Sequence, residues 1–260
     1  MTEKVFRRLA QEIRYWTQSD WSLAEVEEHY DDLAAHYDEV NEAAHAHFRR
    51  FTDALRLADL PDGARALEVF SRTGEGMAFF HQQGKVASAA CVDVSRRMGE
   101  ICQLRLREVG LDDATWVQMV DYSLPFEDGE FDVVFFLETA EHVSRPACLL
   151  RELARVTSSG GTMILSTPNV LWEPMHAFAA VTGLHHSEGP HRFIPYRRLV
   201  EMVEQAGFLV EHAETNVLIP AGPGWLIHFG EWLEARIPDA LMHCVGLRRM
   251  LVCRRQSQGE

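Results

Sequence analysis

From residue 64 onward, short apolar segments alternate with longer amphipathic ones. The strand candidates are "ARALEVF", "VASAACVDV", "TWVQMVD", "FDVVFFLE", "TMILSTPN", "FLVEHAE" and "RMLVCRR". The helix candidates between them include "SRRMGEICQLRLREVG", with Ser95 as a possible N-cap, and "SRPACLLRELARVTSSGG", with glycines at its end. This alternation predicts an α/β fold built on a doubly wound, mostly parallel seven-stranded sheet.

Residues 1–60 lack this alternation and have the apolar spacing of helices, until the turn "LPDGA" interrupts the pattern. We therefore expect a helical N-terminal unit over 1–60 and an α/β domain over 61–260. A helical insert at about 219–247 would lie before the last strand. Its apolar residues suit a core or a homodimer interface: Trp225, Leu226, Phe229, Trp232 and Leu233.

The formal net charge of −14 disfavours nucleic acid as a partner, because a polyanion is repelled at long range. The basic clusters "SRRMGEICQLRLR", "HRFIPYRR" and "GLRRMLVCRR" are interpreted as solvated ends of helices and strands. The five cysteines are scattered and form no CxxC pair, which fits a reducing compartment. No apolar run approaches the roughly 20 residues that span a bilayer. The sequence thus predicts a cytoplasmic protein without a membrane span.

Acidic residues follow several predicted strands. Glu68 precedes "SRTGEG", Asp93 lies 17 positions beyond Gly76, and Asp121 ends the third strand candidate. Ligands of such sheets bind beyond the carboxyl ends of the strands. An acid about 20 positions past a glycine-containing loop can accept hydrogen bonds from both ribose hydroxyls, and an acid one strand further can accept from an adenine amino group.

In these motifs the chain resembles the class I S-adenosylmethionine-dependent methyltransferases, in particular the methyltransferase type 11/12 group, which includes ubiquinone-biosynthesis O-methyltransferases. The similarity covers roughly residues 29–215, from "HYDDLAAHYDEVN" through "LEVFSRTGEG", "VDVS" and "DYSLPFEDGEFDVVFFLETAEHV" to "HRFIPYRRLVEMVEQAGF". The resemblance implies a Rossmann-like domain with a helical lid, and S-adenosylmethionine as cofactor. It also implies a set of cofactor-binding positions: Tyr37, Glu68, Phe70, Ser71, Arg72, Gly74, Gly76, Asp93, Val94, Asp121, Tyr122 and Leu137. Tyr30 is an alternative to Tyr37.

The chain departs from the family at the first two glycines of the loop, where Phe70 and Arg72 stand. S-adenosylmethionine has no phosphate, so close backbone approach matters less than in a dinucleotide site. One hypothesis is that Arg72 holds the methionine carboxylate through two hydrogen bonds. The alternative is that Arg72 points to solvent.

The segment "ETAEH" and the later "GPHRF" hold the candidate catalytic groups. His142 or His191 could act as general base, because an imidazole titrates near neutrality. Glu138, Glu141, His142 and His191 could instead bind Mg²⁺ or Mn²⁺, with His185 and His186 as substitutes, as the resemblance to metal-dependent relatives implies. In the other interpretation, the pair "EH" only caps the next helix.

Together these features predict a methyltransferase that uses S-adenosylmethionine to methylate a small molecule, most readily at oxygen. The alternatives are a metal-dependent terminal RNA 2′-O-methyltransferase and a methyltransferase-like binding protein without catalysis. The net charge disfavours the first alternative, and Phe70 and Arg72 favour the second.

Overall fold

Seven strands form one sheet in the order β3-β2-β1-β4-β5-β7-β6. The computed structural model describes residues 2–18, 20–42, 44–183, 187 and 189–256. Neighbouring strands from β3 to β5 are parallel, whereas β7 runs antiparallel to both β5 and β6. The strands are β1 Ala64–Val69, β2 Val86–Asp93, β3 Thr115–Gln118, β4 Phe131–Leu137, β5 Thr157–Pro168, β6 Phe208–Asn216 and β7 Arg248–Arg255. The predicted α/β sheet and each of its strands are confirmed.

Helices cover both faces of the sheet. They are α1 Thr2–Thr17, α2 Leu23–Leu33, α3 Tyr37–Glu42, α4 His45–Leu57, α5 Glu75–Gln82, α6 Arg96–Glu108, α7 Pro146–Val156, α8 Glu173–Thr182, α9 Tyr196–Gln205, α10 Gly224–Glu234 and α11 Asp239–Val245. Ser95 caps α6 as predicted, its Oγ accepting a hydrogen bond from the backbone N–H of Met98 at 3.1 Å. None of the described helices is both long and apolar enough to cross a bilayer.

The helix α7 ends earlier than the glycines that the sequence suggested as its stop. Thr157 continues directly into β5 and lies opposite Phe131 of β4. The pairing then shifts register before Val133 lies opposite Thr162. "TSSGG" therefore belongs to the strand, because its backbone pairs with β4 instead of closing the helix.

Successive residues of the central strands face opposite sides of the sheet, and each side has its own core. Phe135 packs with α4, α5 and α6, and its ring stacks on that of Phe80 with 4.0 Å between the centroids. Phe136 packs on the other side, with α2, α7 and α9. Phe51 of α4 is fully buried in the first of these cores. Of the N-terminal helices, α2 and α4 thus pack directly against the sheet.

The predicted helical insert contains α10 and α11. The rings of Trp225, Phe229 and Trp232 are 71%, 50% and 51% exposed, so these three residues are not core. The core interpretation is wrong for them because α10 presents them to solvent. A homodimer through this face stays a prediction.

Candidate functional site

The loop after β1 keeps a glycine-like backbone without the glycines. Phe70 and Arg72 have φ angles of 57° and 51°, in the left-handed region that glycine favours. Both side chains are buried. Gly74, at φ 75°, is the N-cap of α5. The loop therefore turns into α5 with two large side chains directed into the protein at positions where the family has none.

Arg72 fills the space in front of Asp93. Its backbone N–H donates to Asp93 Oδ2 at 2.8 Å, and its Nη1 lies 3.7 Å from the same oxygen. The guanidinium carbon lies 3.7 Å from the centroid of the Tyr30 ring and 4.9 Å from that of Phe70. The alternative that Arg72 points to solvent is wrong, because Asp93 and two aromatic rings hold it inside.

Asp93 is fully buried by these contacts. Its Oδ1 accepts a hydrogen bond from the Ser95 backbone at 2.9 Å. Burial raises the pKa of Asp93, while the nearby Arg72 guanidinium opposes that shift. The carboxylate that was predicted to hold a ribose already has both oxygens in hydrogen bonds within the protein.

Three other predicted cofactor positions, Asp121, Tyr122 and Val94, lie around the ends of β2 and β3. Asp121 is exposed and accepts from the backbone N–H of Ser123 at 2.8 Å, and the Tyr122 hydroxyl lies 3.0 Å from Ser144 Oγ. Val94 is buried in the core. None of these positions, nor Asp93, lines either of the two cavities described below.

Glu68 and Gly76 form a close pair beneath the loop. Glu68 Oε2 accepts from the Met77 backbone N–H at 3.0 Å, and a Cβ on Gly76 would lie 2.3 Å from Glu68 Oε1. Burial raises the pKa of Glu68 to about 8, so this carboxyl is protonated at neutral pH. With Phe70, Ser71, Arg72 and Leu137, both residues line a cavity of about 10 Å³, which is the space of a single water molecule.

The larger cavity, of about 290 Å³, lies between the lid and the carboxyl ends of β4 and β5. Polar groups from both sides line it: Tyr30, Tyr37, His47, Arg50, Arg72, Glu138, Glu141, His142 and Arg248. Apolar walls come from the end of β5, from the segment between β5 and α9, and from the residue just before β7: Pro168, Trp172, Met175, Ala179, Phe193 and Leu247.

His142 is the candidate base that reaches this cavity. Its Nδ1 lies 3.2 Å from the Pro190 carbonyl oxygen, which can only accept, so Nδ1 carries the proton. Its Nε2 lies 3.2 Å from the Tyr30 hydroxyl and accepts from it in the neutral ring. His191 is buried, donates from Nδ1 to the Gly189 carbonyl at 2.8 Å, and is absent from the cavity lining.

The predicted metal ligands do not assemble. Glu138 Oε1 accepts from Ser166 Oγ at 2.9 Å and from Arg248 Nε at 2.8 Å, whereas Glu141 Oε2 accepts from Thr167 Oγ1 at 2.9 Å. In the ranges that the structure describes, no group of three or more His, Cys, Asp or Glu side chains could hold a metal ion. The Mg²⁺ or Mn²⁺ prediction has no support here, because each acid turns to a separate hydroxyl or guanidinium. His185 and His186 lie outside the described residues.

Two arginines of the cavity were missed by the sequence interpretation. Arg248, from "GLRRMLVCRR", is only 3% exposed, so its assignment to a solvated strand end is wrong. Arg50 reaches the cavity from α4. The sequence signal that could have indicated Arg248 is its place at the start of the last strand. Since β7 is antiparallel to β5, its first residue lies beside the carboxyl ends of the parallel strands.

Residues 67–165 match the model of the methyltransferase domain family. This match and the relatives below support a class I S-adenosylmethionine-dependent methyltransferase. It is 27% identical over 148 residues to the ubiquinone/menaquinone biosynthesis C-methyltransferase UbiE of Shewanella frigidimarina, which covers 54% of this chain and 58% of that protein. It is also 28% identical over 209 residues to the bifunctional biotin biosynthesis protein BioHC of Cellvibrio japonicus, covering 74% and 40%.

Solved structures share the fold of this chain. The [4+2]-cyclase SpnF has a TM-score of 0.67 at 18% identity, covering 91% of this chain and 97% of that one. Geranyl diphosphate C-methyltransferase from Streptomyces coelicolor has a TM-score of 0.59 at 12% identity, covering 81% and 79%. The chain spans a little over half the length of the UbiE relative, 58% of it.

Proposed function

We propose that the protein methylates a small molecule bound in the 290 Å³ cavity. The observation that carries this proposal is the position of the cavity at the carboxyl ends of β4 and β5, beside the loop after β1. The class of cofactor comes from the family and the comparisons. The whole protein's activity, its acceptor and a cytoplasmic location remain parts of this proposal.

His142 is the proposed general base. For an oxygen acceptor, the proton leaves the acceptor hydroxyl for the neutral Nε2, the atom that accepts from Tyr30 in the structure. The Nδ1–H bond to Pro190 fixes the tautomer in which Nε2 is free of a proton. The UbiE relative is named a C-methyltransferase, so a carbon acceptor activated by the same base is the other product to look for.

S-adenosylmethionine does not fit the cofactor positions as the structure has them. The residue types at Glu68, Gly74, Gly76 and Asp93 suit it, but Arg72 occupies the space beside Asp93. We propose that Arg72 must leave Asp93 before a ribose can reach this carboxylate. The displacement costs the ion pair and the contact with Tyr30, so we expect the cofactor to bind weakly.

Titration calorimetry with S-adenosylmethionine tests the proposal. We expect Arg72→Gly to raise cofactor affinity at least tenfold over the wild type, because glycine adopts the loop's φ of 51° without strain and frees Asp93. The double variant Phe70→Gly/Arg72→Gly should bind more tightly still. Arg97→Gly, a change at an exposed arginine that contacts Asp31 and lines neither cavity, serves as control and should leave affinity unchanged.

Binding that is absent in the wild type and in the double variant would exclude the methyltransferase proposal. The second candidate, a binding protein without methyl transfer, would then stand, and the buried Phe70 and Arg72 are the observation that favours it. A solved structure with this fold is named a [4+2]-cyclase, so the fold is not restricted to proteins named methyltransferases. A terminal RNA acceptor stays disfavoured by the −14 charge.

A further inference from the structure

Three arginines line the large cavity, and each has a buried nitrogen without a hydrogen-bond partner among the described residues. These atoms are Arg50 Nε, Arg72 Nη1 and Arg248 Nη1. Buried guanidinium donors are rarely left unpaired, because the loss of solvation is not offset. Arg72 Nη1 has the Asp93 carboxylate at 3.7 Å, beyond hydrogen-bond distance, so all three donors around the cavity can still take a hydrogen-bond acceptor from a ligand.

The carboxylates around the cavity do not neutralise all three cations. Glu138 pairs with Arg248, and Asp93 lies behind Arg72. Arg50 forms no ion pair with a carboxylate in the described part of the chain; its Nη2 lies 3.2 Å from His47 Nε2.

The titratable groups near Arg50 leave its charge in place. Burial and the Arg50 charge lower the pKa of His47 to about 4, so this ring is neutral at neutral pH. Glu68, with its pKa raised to about 8 by burial, is neutral as well. Burial raises the pKa of Glu75, but the hydrogen bond with His47 and the charges of Arg50 and Arg105 lower it below the usual value, so Glu75 is ionised. Its carboxylate lies 3.0 Å from His47 Nε2 and attracts Arg50 without a direct ion pair.

The opposite walls of the same cavity are mostly apolar, with the His176 ring packed against Phe193 among them. Trp172 directs its indole N–H to the Val245 carbonyl at 2.9 Å and so presents only its ring surface to the cavity. Met175 and Phe193 add a thioether and a second ring. An occupant that satisfies both walls has an anionic group and an apolar body.

We propose that the cavity binds a small organic acid, whose carboxylate or phosphate is held by Arg50, Arg72 and Arg248. The apolar body of the acid packs on Trp172, Met175 and Phe193. Arginine is suited to this task because its planar fork donates two parallel hydrogen bonds to either kind of anion. This inference rests on the proposed function only in taking the acid to be the methyl acceptor; binding of the acid requires no cofactor.

Calorimetry without S-adenosylmethionine tests the inference with four acidic probes: benzoate, phenylacetate, 3-phenylpropionate and phenyl phosphate. Each carboxylate is compared with its own amide, and phenyl phosphate with phenol. We expect at least one acid to bind at least tenfold more tightly than its neutral counterpart. The relative affinity of phenyl phosphate and the carboxylates distinguishes the two anion types.

Arg50→Gln and Arg72→Gln should each weaken binding of the preferred acid by about ten- to a hundredfold, the range of a hydrogen bond to a charged group, and leave the neutral probe unchanged. The matched control is Arg65→Gln, since Arg65 pairs with Glu130 and lines neither cavity. Circular dichroism confirms that each variant is folded.

If no acid binds more tightly than its neutral counterpart, or if both arginine variants bind it as the wild type does, the inference is wrong. Acid binding without any cofactor binding would exclude the methyltransferase proposal and leave the anion site standing. Cofactor binding without a preference for the acid would exclude the anion site and leave the methyltransferase proposal standing.

Discussion

Glu68 shows how a single buried side chain makes stability depend on pH. In the folded protein its pKa is about 8, well above the usual 4.5, because burial disfavours the carboxylate. Between these values the folded state holds a proton that the unfolded chain has released. Stability is therefore complete below the unfolded pKa and is lost as pH rises through the folded pKa.

Glu68→Gln tests this dependence, because glutamine keeps an oxygen for the Met77 N–H but cannot ionise. We expect the free energy of unfolding of the wild type to fall relative to the variant by up to about 1.4 kcal/mol per pH unit across this window. Urea unfolding at pH 5, 6.5 and 8 measures it. His47, whose pKa is lowered to about 4, has the opposite dependence, but it is common to both proteins and cancels in the difference. A difference that stays constant with pH would show that Glu68 ionises normally.

At the scale of elements, Gly99 in α6 shows how closely helix and sheet approach. A Cβ at this position would lie 2.1 Å from the ring of Trp116 in β3. Gly224 at the start of α10 has no atom within 4 Å of such a Cβ. Neither glycine has a positive φ, so the two positions differ in surroundings and not in backbone strain.

Gly99→Ala should therefore lower the free energy of unfolding by about 1–3 kcal/mol, the usual cost of forcing an extra carbon into a packed core. Gly224→Ala should leave it unchanged or raise it slightly, because alanine is the better helix former. Thermal and urea unfolding of both variants measure the contrast. Equal stabilities would mean that α6 can move away from the sheet at no cost.

The strands could be predicted from the sequence because each is a short apolar run between helix signals. The start of β5 could not, since Thr157 becomes strand only through its pairing with Phe131. The acids at strand ends were placed at the correct edge for the same local reason. The burial of Arg72 and Arg248 depends on Asp93 and Glu138, which lie far away in sequence, so no local pattern indicated it.

At the scale of the whole molecule, an ion pair and a hydrogen bond join α4 to the α/β domain. Asp53 of α4 forms ion pairs with Arg49 at 3.1 Å and with Arg56 at 3.0 Å. It also accepts a hydrogen bond from the side chain of Asn216, at the end of β6, at 2.9 Å. Arg49 continues the network to Glu234 of α10 at 2.6 Å. The helical unit and the domain that the sequence predicted as separate ranges thus share one set of contacts.

Asp53→Ala should lower the free energy of unfolding by about 1–3 kcal/mol, because it removes a buried acceptor from Asn216 while Arg49 keeps Glu234 and Arg56 keeps Glu214. The control is Asp62→Ala, whose carboxylate pairs with Lys85 but is 84% exposed, so that its loss should cost less than about 1 kcal/mol. Urea unfolding followed by both fluorescence and circular dichroism measures the change. Two separate transitions in the wild type would contradict a single cooperative unit.

The reversed direction of β7 has a consequence for synthesis on the ribosome. Since β7 is the last strand of the described chain, the parallel strands and most of the lid emerge before Arg248 does. A nascent chain that has reached α11 already holds the loop after β1 but still lacks one wall of its cavity. The pocket therefore closes late in translation, and a chain released before β7 carries an open, incomplete ligand site whatever the state of the rest of its sheet.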